Sequence, residues 1–328
     1  MNELIGNTPM IKINYKLGGN LKSVYVKLES YNLSGSIKDR VALYILKKAK
    51  QRNELKDGMP IIEVTSGNTG IAFASLGAYY RHPVTIFMPD WVSQERIKLL
   101  KLYGANVILI SKEEGGFEEC IKRANILAYQ INGYRPNQFD NEDNVNAHYE
   151  TTAVEILNQL PVSIDSFISG IGTGGTLMGV GKRLKKENPN IQIIAIEPLG
   201  AAILKNGYIE KKDHLIEGIG DGLIPKIVDR GLIDDIYLID DEDAVNMSRL
   251  LARKLGLAVG ISSGANLLGA IKFQEQNDGN VVTVFPDDNK KYLSTKLSDS
   301  LDLNPDFLSN QIELLNYEII ASKEKNVL

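Results

Sequence analysis

The chain has 328 residues, of which 43% are hydrophobic and 24% charged, and its net charge is −4, which is typical of a globular protein long enough for two domains. Because there is no basic excess and no polybasic run, we expect neither nucleic acid nor a membrane surface as a partner. The single cysteine, Cys120, excludes an internal disulfide framework and a cysteine-cluster metal site, and without a signal-peptide pattern we expect a cytoplasmic protein with no bound metal.

The first half of the chain alternates short apolar strands with amphipathic helices. A strand is predicted over 24–28, and a helix begins at Lys38. Ser93 is a candidate N-cap and Gly104 a candidate C′ residue of one later helix. The remaining predicted elements are the strands 61–64, 84–88 and 107–110 and the helices 71–80, 90–103 and 117–131.

The same alternation restarts in the second half. The predicted strands are 167–169, 191–196, 236–239 and 281–285, and the main helices are 149–160, 176–186 and 241–255. We expect 281–285 to be the last strand and about 25 final residues to form a tail. Buried strands separated by helices predict an α/β protein with two lobes, each with a mostly parallel sheet flanked by helices, and a cleft between the lobes.

Lys38 follows a polar turn and begins a helix. The unpaired N–H groups and the positive end of the helix dipole disfavour its ammonium form. A neutral amine is what an imine-forming lysine needs. A solvated surface lysine is the simpler interpretation of Lys38 taken alone, and only the other motifs favour the reactive one.

Two glycine-containing turns link a predicted strand to a helix. The turn 65–70 carries hydroxyl and amide groups at a helix N-terminus. It has more of these polar groups than an ordinary helix cap needs, so it is suited to binding a carboxylate. The turn 172–176 can hold a phosphate on its backbone N–H groups. However, 170–175 also fits the G-x-G-x-x-G pattern with Glu197 about 20 residues on, so an NAD-dependent oxidoreductase is the alternative hypothesis.

A third turn, 259–265, carries two serines ahead of a helix. One of Ser262 and Ser263 is expected to cap that helix. The other hydroxyl is then left for a ligand.

Seven short stretches occur in order between residue 6 and about residue 298: GNTP, SGSIKDR, TSGNTG, HYETT, GTGGT, GIGDGLIP and GISSGA. Together they resemble the cysteine synthase family, the O-acetylserine sulfhydrylases and the related cystathionine β-synthases. The resemblance implies the tryptophan synthase β-like architecture of fold type II pyridoxal-phosphate enzymes. It also implies a pyridoxal 5′-phosphate cofactor and β-replacement or β-elimination on three-carbon amino acids.

The resemblance also implies a role for each matching residue. Lys38 would form the internal aldimine and later take the α-proton, Asn68 would contact the ring hydroxyl, and Ser262 would contact the ring nitrogen. A neutral serine there suits β-elimination, because a leaving group drains the charge. The implied phosphate loop is Gly172, Thr173, Gly174, Gly175 and Thr176. The implied clamp on the substrate carboxylate is Thr65, Ser66, Thr69 and Gln138.

Two departures from the family pattern are informative. The stretch 141–143 replaces a common Asn-Pro-Ala and is interpreted as loop variation. Asp221 stands where cysteine synthases usually have a small residue. A solvated turn residue and a functional carboxylate are equally favoured for Asp221. On the functional hypothesis, Asp221 repels hydrosulfide and activates water. The enzyme would then convert cysteine and water to serine and hydrogen sulfide. It would not make cysteine from O-acetylserine and sulfide.

The resemblance further implies how the chain is divided and what it binds. The smaller N-terminal lobe would be 40–146, the larger lobe 1–39 plus 147–328, with the active site in the cleft. The substrate is a small amino acid, and a homodimer is expected. Some cysteine synthases bind the C-terminal tail of serine acetyltransferase, and the sequence leaves that partner open. His148, within HYETT, is interpreted as a packing residue.

Overall fold

The computed structural model describes residues 3–210, 214–299 and 304–321. Its strands are β1 Met10–Leu17, β2 Asn20–Leu28, β3 Ile61–Val64, β4 Val84–Pro89, β5 Asn106–Ile110, β6 Ser166–Gly170, β7 Gln192–Pro198, β8 Asp235–Ile239, β9 Val281–Phe285 and β10 Ile312–Ile320. Its α-helices are α1 Lys38–Gln51, α2 Asn68–Tyr80, α3 Gln94–Leu102, α4 Gly116–Gln130, α5 Glu142–Ala147, α6 Ala153–Gln159, α7 Gly175–Glu187, α8 Ile203–Asn206, α9 Asp241–Leu255 and α10 Ile261–Gln276.

The strands form two sheets. One has seven strands in the order β10-β1-β2-β9-β6-β7-β8, and the other has three in the order β3-β4-β5. The three-stranded sheet is parallel throughout, and in the larger sheet every pairing from β2 to β8 is parallel. The predicted α/β fold with mostly parallel sheets is therefore confirmed.

Helices cover both faces of each sheet. In the larger sheet α9 and α10 contribute to the core on one face, and α6 and α7 pack against the other. In the smaller sheet α1, α2 and α3 share one core, and α4 covers the opposite face, where Cys120 is fully buried. The thiol of Cys120 is thus a packed side chain, and burial raises its pKa to about 12.

The strands of the smaller sheet all lie between residues 61 and 110, and those of the larger sheet lie before residue 29 or after residue 165. This distribution is compatible with lobes of 40–146 and of 1–39 plus 147–328. The boundaries themselves stay a prediction.

The sequence-based assignment of strands is least accurate at the two ends of the chain. The strand β1 was not predicted, and the expected tail contains β10, which pairs antiparallel with β1. The prediction that 281–285 is the last strand is therefore wrong. Both strands carry polar side chains on one face, so their apolar runs are too short to be conspicuous.

The helix expected from residue 149 begins earlier. Asn141 caps α5 by accepting a hydrogen bond from the Asp143 N–H at 2.9 Å, and a π-helical turn, His148–Thr152, joins α5 to α6. The interpretation of 141–143 as loop variation is wrong, because these residues begin a helix. Asp143 also pairs with Arg52 at 2.5 Å.

Among the described residues, no helix combines the length and apolar character needed to cross a bilayer.

Candidate active site

A pocket lies where the carboxyl ends of strands from both sheets face each other. Every residue expected at the cofactor or substrate site lines it. These residues are Lys38, Thr65, Ser66, Asn68, Thr69, Gln138, Gly172, Thr173, Gly174, Gly175, Thr176, Asp221 and Ser262.

Lys38 is half-buried in the wall of this pocket and is the first residue of α1. Burial lowers the pKa of its amine from 10.5 to about 8, while the carboxylates of Asp221 and Asp287 oppose that change. In the part of the chain that the structure describes, the amine has no hydrogen bond or ion pair. The lowered pKa was predicted, but its main cause is burial and not the helix dipole.

A buried group of charges fixes the beginning of α1. Arg40 Nε lies 2.6 Å from Glu29 Oε2, and Arg40 Nη1 lies 2.6 Å from Glu155 Oε1. Lys27 Nζ lies 2.8 Å from Glu155 Oε2, and the Thr8 hydroxyl donates to Glu29 Oε1 at 2.7 Å. We call Lys27, Glu29, Arg40 and Glu155 the anchor cluster. Since Arg40 is two residues from Lys38, this cluster holds the helix turn that presents Lys38.

The glycines of the turn after β6 let its backbone pack closely against neighbouring segments. A Cβ at Gly172 would collide with the Gly218 carbonyl oxygen, and one at Gly175 would collide with Asn144 Oδ1. Gly174 has a φ of +89°, which few other residues adopt. The first N–H groups of α7, which begins at Gly175, have no partner within the helix. This backbone fits a phosphate group.

Asn68 begins α2 with its amide oriented by a buried carboxylate. Its Nδ2 donates to Asp287 Oδ2 at 2.7 Å, and the Tyr292 hydroxyl donates to the same oxygen at 2.8 Å. Asn68 Oδ1 is buried and has no hydrogen-bond partner among the described residues. An orphaned buried acceptor facing the pocket fits the polar edge of a ring-containing cofactor.

The residues expected to bind the substrate carboxylate lie around the same helix N-terminus. The Thr69 hydroxyl donates to Gln138 Oε1 at 2.6 Å, and Gln138 Nε2 donates to the Val64 carbonyl at 2.9 Å. The Gly67 N–H donates to Thr65 Oγ1 at 2.9 Å. These bonds order the turn, and α2 provides its positive end to an anion.

Asp221 is not a solvated turn residue. It is half-buried in the pocket wall, and burial raises the pKa of its carboxyl, while His214, Lys38 and Arg96 act in the opposite direction. It is held between Gly220 and Gly222, whose φ angles are +71° and +82°. The simpler interpretation of Asp221 as an exposed turn residue is therefore excluded.

Arg96 is a pocket residue that the sequence did not reveal. Although it lies within α3, it is only 2% exposed, stacks on the Tyr292 ring at 4.6 Å and forms an ion pair with Glu217. A Cβ at Gly67 would meet its side chain, which gives one reason for a glycine there. An arginine in the pattern of a surface helix carries no signal of such burial.

Of the two expected serine caps, the one on α10 is wrong, and the one on α3 is correct in position but makes no side-chain cap. Gly260 is the N-cap residue of α10, and it has no side chain with which to cap the helix. Ser262 lies in the first turn of α10 and lines the pocket. Ser93 occupies the N-cap position of α3, but its hydroxyl donates to the Lys291 carbonyl at 2.7 Å. Gly104 has the left-handed conformation expected past the end of α3. The Ser93 hydroxyl is engaged by a tertiary contact that no local pattern shows.

His148 is a packing residue, as expected. It is fully buried beneath the phosphate-type turn, with Nδ1 2.9 Å from Thr152 Oγ1 and Nε2 3.3 Å from Thr176 Oγ1. Burial holds the pKa of its imidazole far below the ordinary value, so it stays neutral.

Comparisons with known proteins agree with this geometry. Residues 1–287 match the family model described as pyridoxal-phosphate dependent enzyme. The chain is 43% identical to a cysteine synthase from Staphylococcus aureus over 298 residues, covering 90% of this chain and 95% of that protein. It is also similar to the crystal structure of a hydrogen sulfide-producing enzyme from Fusobacterium nucleatum, with 48% identity, a TM-score of 0.93 and 97% of each chain covered. A similarly close structure is that enzyme with an aspartate replaced by asparagine, in complex with an α-aminoacrylate intermediate.

The alternative of an NAD-dependent oxidoreductase is wrong. The matching family uses pyridoxal phosphate. The carboxylate of Glu197, which that hypothesis assigned to a ribose, is buried and accepts hydrogen bonds from the N–H groups of Leu204 at 2.9 Å and Lys205 at 3.0 Å. It caps α8 instead of facing a ligand.

Proposed function

This chain belongs to the family of pyridoxal-phosphate dependent enzymes, and from that premise we propose that it converts cysteine and water to serine and hydrogen sulfide. It is an enzyme with cysteine synthase-like chemistry on a small amino acid. The observation that supports the finer proposal is Asp221, a carboxylate that lines the same pocket as Lys38.

The residues of the pocket fit the cofactor, which when bound withdraws electrons from the α-carbon of an amino acid. Lys38 would hold the aldehyde carbon and later receive the α-proton on Nζ. The backbone of 172–176 would bind the phosphate, and Ser262 would face the ring nitrogen. Asn68, whose amide oxygen has no partner among the described residues, would contact the ring hydroxyl.

The substrate carboxylate would bind at the N-terminus of α2. The hydroxyls of Thr65, Ser66 and Thr69 line this part of the pocket, and Thr69 is fixed because its hydroxyl donates to Gln138 Oε1 at 2.6 Å. Binding the carboxylate here aims the rest of the amino acid at Lys38 across the pocket. This placement lets the amine reach the α-proton.

Asp221 would decide which nucleophile reacts at the β-carbon. Breaking the carbon–sulfur bond of cysteine releases sulfide, and forming a carbon–oxygen bond with water gives serine. A carboxylate whose pKa is raised by burial is a better general base near neutral pH than an ordinary aspartate. The same negative charge repels hydrosulfide, which disfavours the reverse synthesis of cysteine.

The test compares two reactions in wild type, Asp221→Asn and Asp221→Ala. With cysteine alone, wild type should release sulfide and form an equal amount of serine, and both variants should be slower by at least about 100-fold. With O-acetylserine plus sulfide, the variants should form cysteine as fast as wild type or faster. Asp235→Ala, an exposed carboxylate at the beginning of β8, is the control.

Two results would contradict this proposal. One is a wild type that releases no sulfide from cysteine, and the other is a variant that releases it equally well. The first result together with rapid cysteine formation from O-acetylserine would make the enzyme a cysteine synthase, as the Staphylococcus aureus relative is named.

Two finer expectations stay predictions: a homodimer, testable by light scattering, and a cytoplasmic location. Binding of a serine acetyltransferase tail is left open by the sequence and can be tested directly. The tail's terminal carboxylate would compete with substrate for the N-terminus of α2. A peptide with the C-terminal sequence of serine acetyltransferase should then inhibit sulfide release competitively with cysteine.

A further inference from the structure

Asp287 joins three segments of the pocket. It follows β9, and its side chain accepts the 2.7 Å hydrogen bond from Asn68. Its own carbonyl accepts from the Gly260 N–H at 3.2 Å, next to the turn of α10 that carries Ser262. The preceding carbonyl, of Pro286, accepts from the Ile37 N–H at 2.9 Å, one residue before Lys38. Asp287 therefore lies at the junction of the segments that carry Asn68, Ser262 and Lys38.

The carboxylate of Asp287 is enclosed by side chains. It has no exposed surface, and it accepts from the Tyr292 hydroxyl, whose ring is covered by Arg96. A Cβ at Gly260 would collide with Asp287 Oδ1, so a glycine there makes room for the acid. A buried carboxylate with two neutral donors is costly unless it stabilises something further.

We propose that Asp287 is a positioning residue that orients the amide of Asn68 toward the cofactor and places a negative charge beside the segment that carries Lys38. The proposal rests on the roles given to Asn68 and Lys38 under Proposed function.

The orientation of Asn68 follows from hydrogen-bond chemistry. A carboxylate only accepts, so the atom of Asn68 that faces Asp287 must be Nδ2. The amide oxygen is thereby turned away from Asp287, and it is the atom without a partner among the described residues. Without the carboxylate both orientations of the amide become available, and the preorganisation of the Asn68 side chain is lost.

The effect on Lys38 follows from the charges around its amine. The carboxylates of Asp221 and Asp287 favour the ammonium form, while burial disfavours it. His148 also faces this region but is buried and neutral. Burial raises the pKa of the Tyr292 hydroxyl, and the neighbouring Asp287 acts in the same direction while Arg96 opposes it. Replacing Asp287 by asparagine keeps the shape of the side chain and removes one of the two negative charges that favour the ammonium form of Lys38.

The first test measures Lys38 in the cofactor-free enzyme. Competitive acetylation across pH 6–10, followed by mass spectrometry, reports the midpoint at which Lys38 becomes reactive. Wild type should have its midpoint at about pH 8, and Asp287→Asn should lower it by about one pH unit. At pH 7 the variant is then labelled roughly fivefold faster. Asp288→Asn removes a neighbouring charge and should leave the midpoint unchanged.

The second test measures how tightly the cofactor-free enzyme binds pyridoxal phosphate. Asp287→Asn should weaken binding about tenfold, because a charge-assisted hydrogen bond to Asn68 is lost. Tyr292→Phe keeps the charge but removes the donor that fixes the Asp287 oxygen to which Asn68 is bonded, so it should weaken binding without lowering the Lys38 midpoint. A merely structural role would reduce stability and move neither quantity.

The proposal is overturned if wild type and Asp287→Asn share the same labelling midpoint, or if Asp288→Asn lowers it equally. Should Asp287→Asn lack the far-ultraviolet circular dichroism of wild type, Tyr292→Phe decides, and unchanged cofactor affinity then overturns the proposal. Labelling needs neither substrate nor turnover, so its outcome is separate from that of the sulfide assay.

Discussion

Two groups of buried charges meet at the beginning of α1 and behave in opposite ways. In the anchor cluster, Arg40 contacts two carboxylates at 2.6 Å, and its charge lowers the pKa of Glu29 to about 2. In the pocket, burial lowers the pKa of Lys38 and raises that of Asp221. Arg40 and its two carboxylate partners are thus held ionised, whereas the charges of the pocket are brought nearer to neutrality. Lys27 is the exception within the anchor cluster, because burial lowers its pKa as well.

The difference shows how one short segment serves both structure and chemistry. Arg40 and Lys38 are separated by a single residue, yet Arg40 is enclosed by partners and Lys38 faces a cavity. A buried charge that is fully paired contributes rigidity, whereas one left without a partner can exchange its proton. The rigid cluster is what keeps the reactive amine in place.

Removing the reactive charge should have the largest effect on activity. We expect Lys38→Ala to reduce sulfide release from cysteine by at least about 1,000-fold, because both covalent attachment and proton transfer are lost. The cofactor-free variant should be at least as stable as wild type in urea, because an unpaired buried amine costs free energy. Lys47→Ala, an exposed lysine of the same helix, is the control. Full activity of Lys38→Ala would contradict the role of Lys38 as the reactive amine.

Removing the paired charge should have the largest effect on stability. We expect Arg40→Met to lower the free energy of unfolding by about 3–5 kcal/mol, since Glu29 and Glu155 are left buried without a counter-charge. Urea denaturation measures this change. Arg123→Met, which breaks an exposed pair with Glu119, should lose far less. Equal losses in the two variants would show that the anchor cluster is not special.

The two groups should also differ in the pH range over which they affect stability. The pKa of Glu29 is about 2 when folded against 4.5 for the free group, so its contribution is complete above pH 4.5 and is lost as the pH falls toward 2. The pKa of Lys38 is about 8 when folded against 10.5, so the unfolded state binds more protons between these values and stability rises with pH there.

Thermal unfolding of the cofactor-free protein at a series of pH values measures both effects. Lys38→Met should reduce the rise between pH 8 and 10.5, to which Lys27 also contributes, without changing the acid loss. A variant curve parallel to that of wild type above pH 8 would contradict the assignment of the alkaline effect to Lys38.

The sequence was sufficient for the parts of the site that are local in the chain. The turns 65–70 and 172–176 and the helix entrance at Lys38 each carry their chemistry within a few residues, and all line one pocket. Glycines combined with hydroxyls between a strand and a helix are typical of a backbone that binds an anion, so each turn indicates its chemistry by itself.

The parts that were missed depend on contacts between distant segments. Asn68 and Asp287 are 219 positions apart, and the aspartate follows an ordinary apolar strand. Arg96 looks like a surface residue until Tyr292 and Glu217 are placed around it. In the same way β10 becomes a strand only because β1 offers it an edge. A single sequence contains no signal for such pairings.

The position of β9 in the larger sheet has a consequence for how the protein is made. This strand lies between β2 and β6, so the first hairpin and the later strands are separated by residues 281–285. Until residues 281–285 have been synthesised, no strand joins the two halves of the larger sheet. The small sheet, complete by residue 110, can assemble long before. Nascent chains therefore keep an open edge in the larger sheet until residues 281–285 have been synthesised, and they are exposed to aggregation up to that point.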